Sequence, residues 1–236
     1  MSINEEYLDG EYIEKNPTFH VEDSPWKARQ ILNGIEKCQL SPENIAEVGC
    51  GAGEILVQLS NELPKAKFTG YELSPQAYEM CKERANEKIS FHHSDLFEDE
   101  KSFDLMLCID VFEHVEDYFS FLRNLSKKAS NFIFHIPLDM NTQMVARAEP
   151  IQRVRKNVGH IHYFSKDSAL AILDDCGFEV EYWFYTPNGV DRPKTTAAKL
   201  AQIPRKIFQA MSLEMSARLL GGYSLLVVAK PKSGSQ

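Results

Sequence analysis

The chain has 236 residues, 43% of them apolar and 25% charged, enough to fold as one domain around a sizeable core. Its formal charge of −8 speaks against the broad basic face that grips a phosphate backbone, so no nucleic-acid partner is expected. No run approaches the roughly 18 apolar residues of a membrane span, the N-terminus "MSINEEYLDG" is acidic where a signal peptide is basic and then apolar, and five scattered cysteines read as reduced thiols; a cytoplasmic protein is expected.

Taken in chain order, residues 1–40 form a leader in which Tyr7, Tyr12, Phe19 and Trp26 could fold over a ligand as an aromatic lid or pack into the core. A helix opens at Pro25, with Trp26 and Lys27 in its first turn. Apolar runs at 45–49, 67–72, 89–94, 103–110, 131–137, 178–186 and 223–229 read as strands. Helix-length segments at 54–62, 75–87, 115–128 and 166–176 lie between the first six. That alternation predicts an α/β, doubly wound sheet, mostly parallel and covered on both faces. The stretch 187–222, with Ile207, Phe208, Met211, Met215 and Leu219 at helical spacing, is predicted to be a helical insertion before the last strand. Residues 231–236 read as a frayed tail, and the whole of 1–236 as a single domain.

The stretch "EVGCGAGEIL" places Gly49, Gly51 and Gly53 between a predicted strand and a predicted helix, with Cys50 inside the turn. Glycines there let a ligand touch the main chain, and the helix N-terminus supplies N–H donors. A dinucleotide fingerprint would need Gly or Ala at position 54 or 56, where this chain has Glu54 and Leu56. The spacing is instead G-x-G-x-G, with Glu47 ahead of it and Glu72 closing the second strand. Such a pair suits a nucleoside without a pyrophosphate: Glu47 faces a cationic amine or sulfonium, and Glu72 accepts from ribose hydroxyls.

Together, "AEVGCGAGEIL", "FTGYELSP", "FHHSDLFE" and "FDLMLCIDVFEHV" resemble the successive motifs of class I S-adenosylmethionine-dependent methyltransferases, over about residues 40–185. Within them the chain is similar to a bacterial small-molecule branch near the ubiquinone-biosynthesis enzymes. The resemblance implies a Rossmann-like seven-stranded sheet with the last strand antiparallel, and S-adenosylmethionine as cofactor. It places Glu47, Gly49, Cys50, Gly51 and Gly53 around the methionine part, Glu72 on the ribose and Leu73 on the adenine. Asp95 would accept from the adenine amino group, or alternatively cap the turn after it; Leu96 would offer its N–H to the ring. Asp110 and Val111 would stand where sulfonium and acceptor meet.

Methyl transfer needs donor and nucleophile in line, and a hydroxyl acceptor also needs a base. His114, His160 and His162 are the candidates; the last two, two residues apart on an extended segment, point to opposite sides. His20, His92, His93 and His135 are read as structural. Glu113 and His114 with a later histidine resemble part of the ligand set of metal-dependent RNA 2′-O-methyltransferases, with Asp110 where those enzymes have a first glutamate; no metal is expected. Basic residues in 140–160 (Arg147, Arg153, Arg155, Lys156) and 187–220 (Arg192, Lys194, Lys199, Arg205, Lys206, Arg218) are expected to wall the acceptor side. The expected activity is therefore methyl transfer to a small-molecule acceptor, an oxygen of an anionic metabolite or activated sugar. The alternatives are an RNA or protein methyltransferase and a non-catalytic cofactor-binding module.

Overall fold

A computed structural model describes residues 10–187 and 196–233. Tyr7, Arg192, Lys194 and the tail residues 234–236 lie outside the described residues, as does the side chain of Lys199. Seven strands, β1 (Asn44–Val48), β2 (Lys67–Tyr71), β3 (Ile89–His92), β4 (Phe103–Ile109), β5 (Ala129–Pro137), β6 (Phe178–Thr186) and β7 (Ser224–Pro231), form one sheet in the order β3-β2-β1-β4-β5-β7-β6. The first five strands run parallel. β7 inserts antiparallel between β5 and β6.

The strands are near-continuous apolar runs because both faces are covered. Alternate residues serve opposite cores: on β5, Phe132, Phe134 and Ile136 join one cluster and Ile133 the other. The first cluster is closed by α5 (Tyr118–Leu125) and α8 (Lys166–Asp175), through Leu122, Leu125, Ala169 and Leu173. The second is closed by α2 (Ser24–Lys37), α3 (Glu54–Glu62) and α4 (Pro75–Lys82), through Ile31, Ile35, Leu56, Leu59 and Cys81. The five thiols are free, and four of them are buried. No described helix is long and apolar enough to cross a membrane.

Several element ends differ from expectation for local reasons. α4 stops at Lys82 because Asn86 turns the chain: its side-chain oxygen accepts from the N–H groups of Lys88 and Ile89, delivering β3. α5 starts at Tyr118, capped by Asp117, because Phe112–His114 is spent on a 3-10 turn. The segment 138–165 carries no predicted element, yet it holds α6 (Thr142–Arg147) and α7 (Glu149–Val158). The helical run before β7 breaks into α9 (Thr196–Met211) and α10 (Leu213–Leu220) at Ser212, whose hydroxyl caps Met215. At the other end, Pro231 still pairs with Phe178. The leader contributes α1 (Glu11–Lys15) and the 3-10 turn Val21–Asp23.

Gly70 in β2 forms the floor under the glycine turn, where a Cβ would stand 2.6 Å from the Phe91 ring and 2.7 Å from Cys50 Sγ. Gly70→Ala is therefore expected to destabilise the fold by about 1–3 kcal/mol in chemical denaturation. Adding Phe91→Leu should recover part of the loss, whereas an unchanged midpoint in the single variant would show that the floor has slack.

Candidate active site

The sheet order reverses at β1 and β4, and ligands of such sheets sit outside the carboxyl ends of the strands at that point. A cavity of about 320 Å³ opens there, within the usual range for a small ligand. The glycine turn forms one wall. Gly53 starts α3 at φ +78, and a Cβ on it would meet the Phe91 ring at 2.6 Å, so only glycine fits. Gly51, at φ +55, aims its N–H at Glu72 Oε2 2.7 Å away. Gly49, Cys50, Leu73 and Val111 also line the cavity.

Acids dominate the polar lining. Glu47 is 1% exposed, and its Oε2 finds no hydrogen-bond partner among the described residues. Burial pushes its carboxyl well above the usual range, with Lys27 pulling the other way. Glu72 accepts three backbone N–H groups, from Gly51, Leu73 and Ser74, at 2.7 to 2.9 Å. Burial raises it too, opposed by those donors. At the end of β4, Asp110 takes φ +55 and pairs with Lys27 Nζ at 2.7 Å and His135 Nδ1 at 2.6 Å. Burial would raise Asp110, yet His135 and Lys27 outweigh it and hold the carboxylate ionised. His135 Nε2 continues to the Thr186 hydroxyl at 2.9 Å.

His114 and His160 also line the cavity, with ring centroids 4.9 Å apart. His114 Nδ1 stands 3.0 Å from the Gly159 carbonyl and must donate to it, which makes Nε2 its basic nitrogen. Burial lowers its pKa to about 3. His160 Nδ1 bonds Asp139 Oδ2 at 2.6 Å; burial lowers its pKa, but Asp139 and Glu113 together raise it further. Behind both rings Glu113 is wholly buried, and neither of its carboxylate oxygens has a hydrogen-bond partner among the described residues. Burial raises it to about 8.

Other expected site residues stand elsewhere. Asp95 takes its alternative role, capping the next turn by accepting from Phe97 N at 3.0 Å, and Leu96 is buried in the core; Ser94 is the residue of that loop that reaches the cavity. His162 does not line the cavity; its ring stands edge-on to Tyr118 at 4.7 Å. The described basic residues of these two stretches do not line the cavity. Arg153 pairs with Glu149, Arg218 with Glu214 and Asp167, and Arg205 with the Leu220 carbonyl, while Arg147, Arg155, Lys156 and Lys206 are exposed. Of the leader aromatics, Tyr12 and Phe19 line the cavity, whereas Trp26 is buried against His135. Lys27 and His135 were not distinguished by the motifs, since no local pattern links them to Asp110.

Comparison with known proteins supplies the family. Its "methyltransferase domain" profile matches residues 25–182. Over 74 residues the chain is 30% identical to release factor glutamine methyltransferase of Vibrio cholerae, covering 31% of this chain and 26% of that one. Over 65 residues it is 34% identical to trans-aconitate 2-methyltransferase of Streptomyces coelicolor, covering 28% and 22%. These matches span about a quarter of either relative. Among solved structures, the N-methyltransferase NodS of Bradyrhizobium japonicum, in complex with S-adenosyl-L-homocysteine, shares the fold over 94% of this chain and 98% of its own, with a TM-score of 0.58 at 15% identity. With the profile covering well over half of its residues, the chain belongs to the methyltransferase-domain family, the S-adenosylmethionine-dependent methyltransferases whose motifs its sequence resembles.

Proposed function

We propose that the chain binds S-adenosylmethionine in this cavity and methylates a small-molecule acceptor. The observation that carries the proposal is Glu47: a buried carboxylate oxygen without a partner, beside a glycine turn and across from Glu72, is the counterpart of a cationic ligand. In this reading the turn and Glu47 receive the methionine end and Glu72 keeps acceptor capacity for a ribose hydroxyl. Leu73 packs on the base; Asp110 and Val111 flank the transferring group. The bound cofactor supplies an already activated methyl group, so the protein's work is alignment and exclusion of water. Tyr12, Phe19, His20 and Val21 close one side of the cavity, and Asn16 ties that lid to α7 by donating to the Asn157 carbonyl at 2.9 Å.

The acceptor belongs at the His114 and His160 end, where His160, backed by Asp139, is the better placed to handle its proton. The anionic acceptor expected from the basic stretches is not carried into the proposal. Among described residues the cavity presents Asp23, Glu47, Glu54, Glu72 and Asp110 against Lys27, a field that favours neutral or cationic acceptors. The same field disfavours RNA. A particular likeness to ubiquinone-biosynthesis enzymes finds no support in the relatives above and is likewise left aside.

Calorimetry with S-adenosylhomocysteine and with adenosine separates the two acids. Glu72→Ala should weaken both ligands by roughly 10–100-fold, the loss of a charged hydrogen bond worth about 1.5–3 kcal/mol. Glu47→Gln should weaken only S-adenosylhomocysteine, because adenosine lacks the amine. Wild-type protein that binds neither would sink the assignment.

Labelled cofactor incubated with metabolite extracts should mark neutral or cationic compounds. On the acceptor so found, His160→Ala should lower turnover by roughly 10²–10⁴-fold while S-adenosylhomocysteine affinity holds. His162→Ala should stay within a few-fold of wild type. Equal turnover in all three proteins would remove the histidine from the mechanism.

A further inference from the structure

Glu113, His114 and His160 each offer one ligand atom, and these atoms lie within 4.8 Å of one another. Three further features distinguish this cluster from a chance gathering. First, Glu113 is wholly buried, yet both of its carboxylate oxygens are without a hydrogen-bond partner among the described residues; a buried polar group left this way calls for a missing water or ion. Second, each imidazole is pinned through Nδ1, His114 by the Gly159 carbonyl at 3.0 Å and His160 by the Asp139 carboxylate at 2.6 Å. With Nδ1 as the donor in each bond, Nε2 is the unprotonated nitrogen of the neutral ring, the outer-sphere arrangement typical of metal-bound histidines. Third, the two rings line the ligand cavity while Glu113 stands behind them, so an ion held there would keep an open side toward the acceptor.

We infer that Glu113, His114 and His160 form a binding site for one divalent first-row transition ion, at the acceptor end of the cavity. Two imidazoles and one carboxylate are the donor set of open zinc sites, and this mixture favours zinc or cobalt over magnesium and calcium, which take oxygen ligands. The backbone secures the geometry. Ile161 and His162 both donate from their N–H groups to the Glu113 carbonyl, at 3.0 and 3.1 Å, so the segment carrying His160 is fastened to the 3-10 turn that carries Glu113 and His114. An ion in this position would occupy Nε2 of His160 and so replace that residue as the group that handles the acceptor's proton, because it would lower the pKa of a hydroxyl acceptor bound to it.

The inference shares the cavity with the proposed methyltransferase function but not its test. Full-length protein stripped with a chelator is titrated with Co²⁺ and followed by its visible absorption, with Mg²⁺ as control. One Co²⁺ per chain should bind with a dissociation constant of about 10 μM or tighter, be displaced by Zn²⁺, and be ignored by excess Mg²⁺. Glu113→Gln, which keeps the shape of the buried acid, and His160→Ala should each weaken Co²⁺ at least about tenfold, and Asp139→Asn by about 10–100-fold through the outer sphere. S-adenosylhomocysteine affinity, measured on the same variants, should stay within about threefold of wild type, showing that they are folded. Absence of saturable Co²⁺ binding in protein that still binds S-adenosylhomocysteine would overturn the metal site and leave the methyltransferase reading intact. Equal Co²⁺ binding by wild type and Glu113→Gln would also overturn it, because the ion would then be elsewhere on the surface. Co²⁺ binding without S-adenosylhomocysteine binding would uphold the metal site and sink the cofactor assignment instead.

Discussion

The ion pair between Lys27 and Asp110 is the interaction on which the arrangement of the cavity depends. Asp110 ends β4 in a left-handed conformation that few residues other than glycine adopt, and the chain turns there toward the 3-10 segment carrying Glu113 and His114. Lys27 from α2 and His135 from β5 grip the carboxylate from two sides, and Thr186 at the end of β6 receives the other His135 nitrogen. One carboxylate thus ties the leader helix to three strands at the sheet's carboxyl edge. The two side chains are 14% and 25% exposed in the cavity wall, so removing one partner leaves the other charged and short of its main contact there. Lys27 also attracts Glu47 beside it, but burial outweighs that attraction and leaves the acid short of compensation.

That shortage explains why a parallel sheet with an ordinary apolar core has so polar a mouth. Strand ends and helix starts bring unpaired N–H groups to this edge, and the protein answers part of them itself: Glu72 accepts three. Glu47 is not answered in this way, since the turn beyond it curls at Gly49, Gly51 and Gly53 and aims the Gly51 N–H at Glu72 instead. The two acids consequently differ in kind. Glu72 stiffens the turn and keeps some acceptor capacity; Glu47 waits for a ligand.

Much of the fold was legible in the sequence because strands buried on both faces announce themselves as apolar runs, and the helix starts at Ser74 and Ser165 carry capping side chains. That Glu47, the glycines and Glu72 share one cavity was equally legible, since they lie on two neighbouring strand ends and form a contiguous pattern. Residues that meet only through the fold were not. Lys27, Asp110, His135 and Thr186 come from four separate elements, and nothing local marks them as a unit. Charge counts misled for a related reason. The basic residues of 140–160 are numerous, but α7 has no buried residue and turns its arginines outward, where Arg153 pairs one helical turn back to Glu149. A count along the chain records how much charge a segment has, whereas the helix decides where that charge points. Asp95 shows the same ambiguity at a single residue: an acid after a strand serves as readily to cap a turn as to greet a base.

Two buried acids are short of hydrogen-bond partners among the described residues, Glu47 at one oxygen in the cavity lining and Glu113 at both oxygens outside that lining. Each unsatisfied buried acceptor costs about 1–3 kcal/mol, against a total stability of about 5–15 kcal/mol for a domain. A chain can carry two such deficits only if the groups stay protonated or the site is filled. Burial disfavours the ionised form of both and pushes both carboxyl groups above the usual range. A cation held beside either acid would favour its ionised form, so that such binding and the ionisation of the acid would be linked, each strengthening the other.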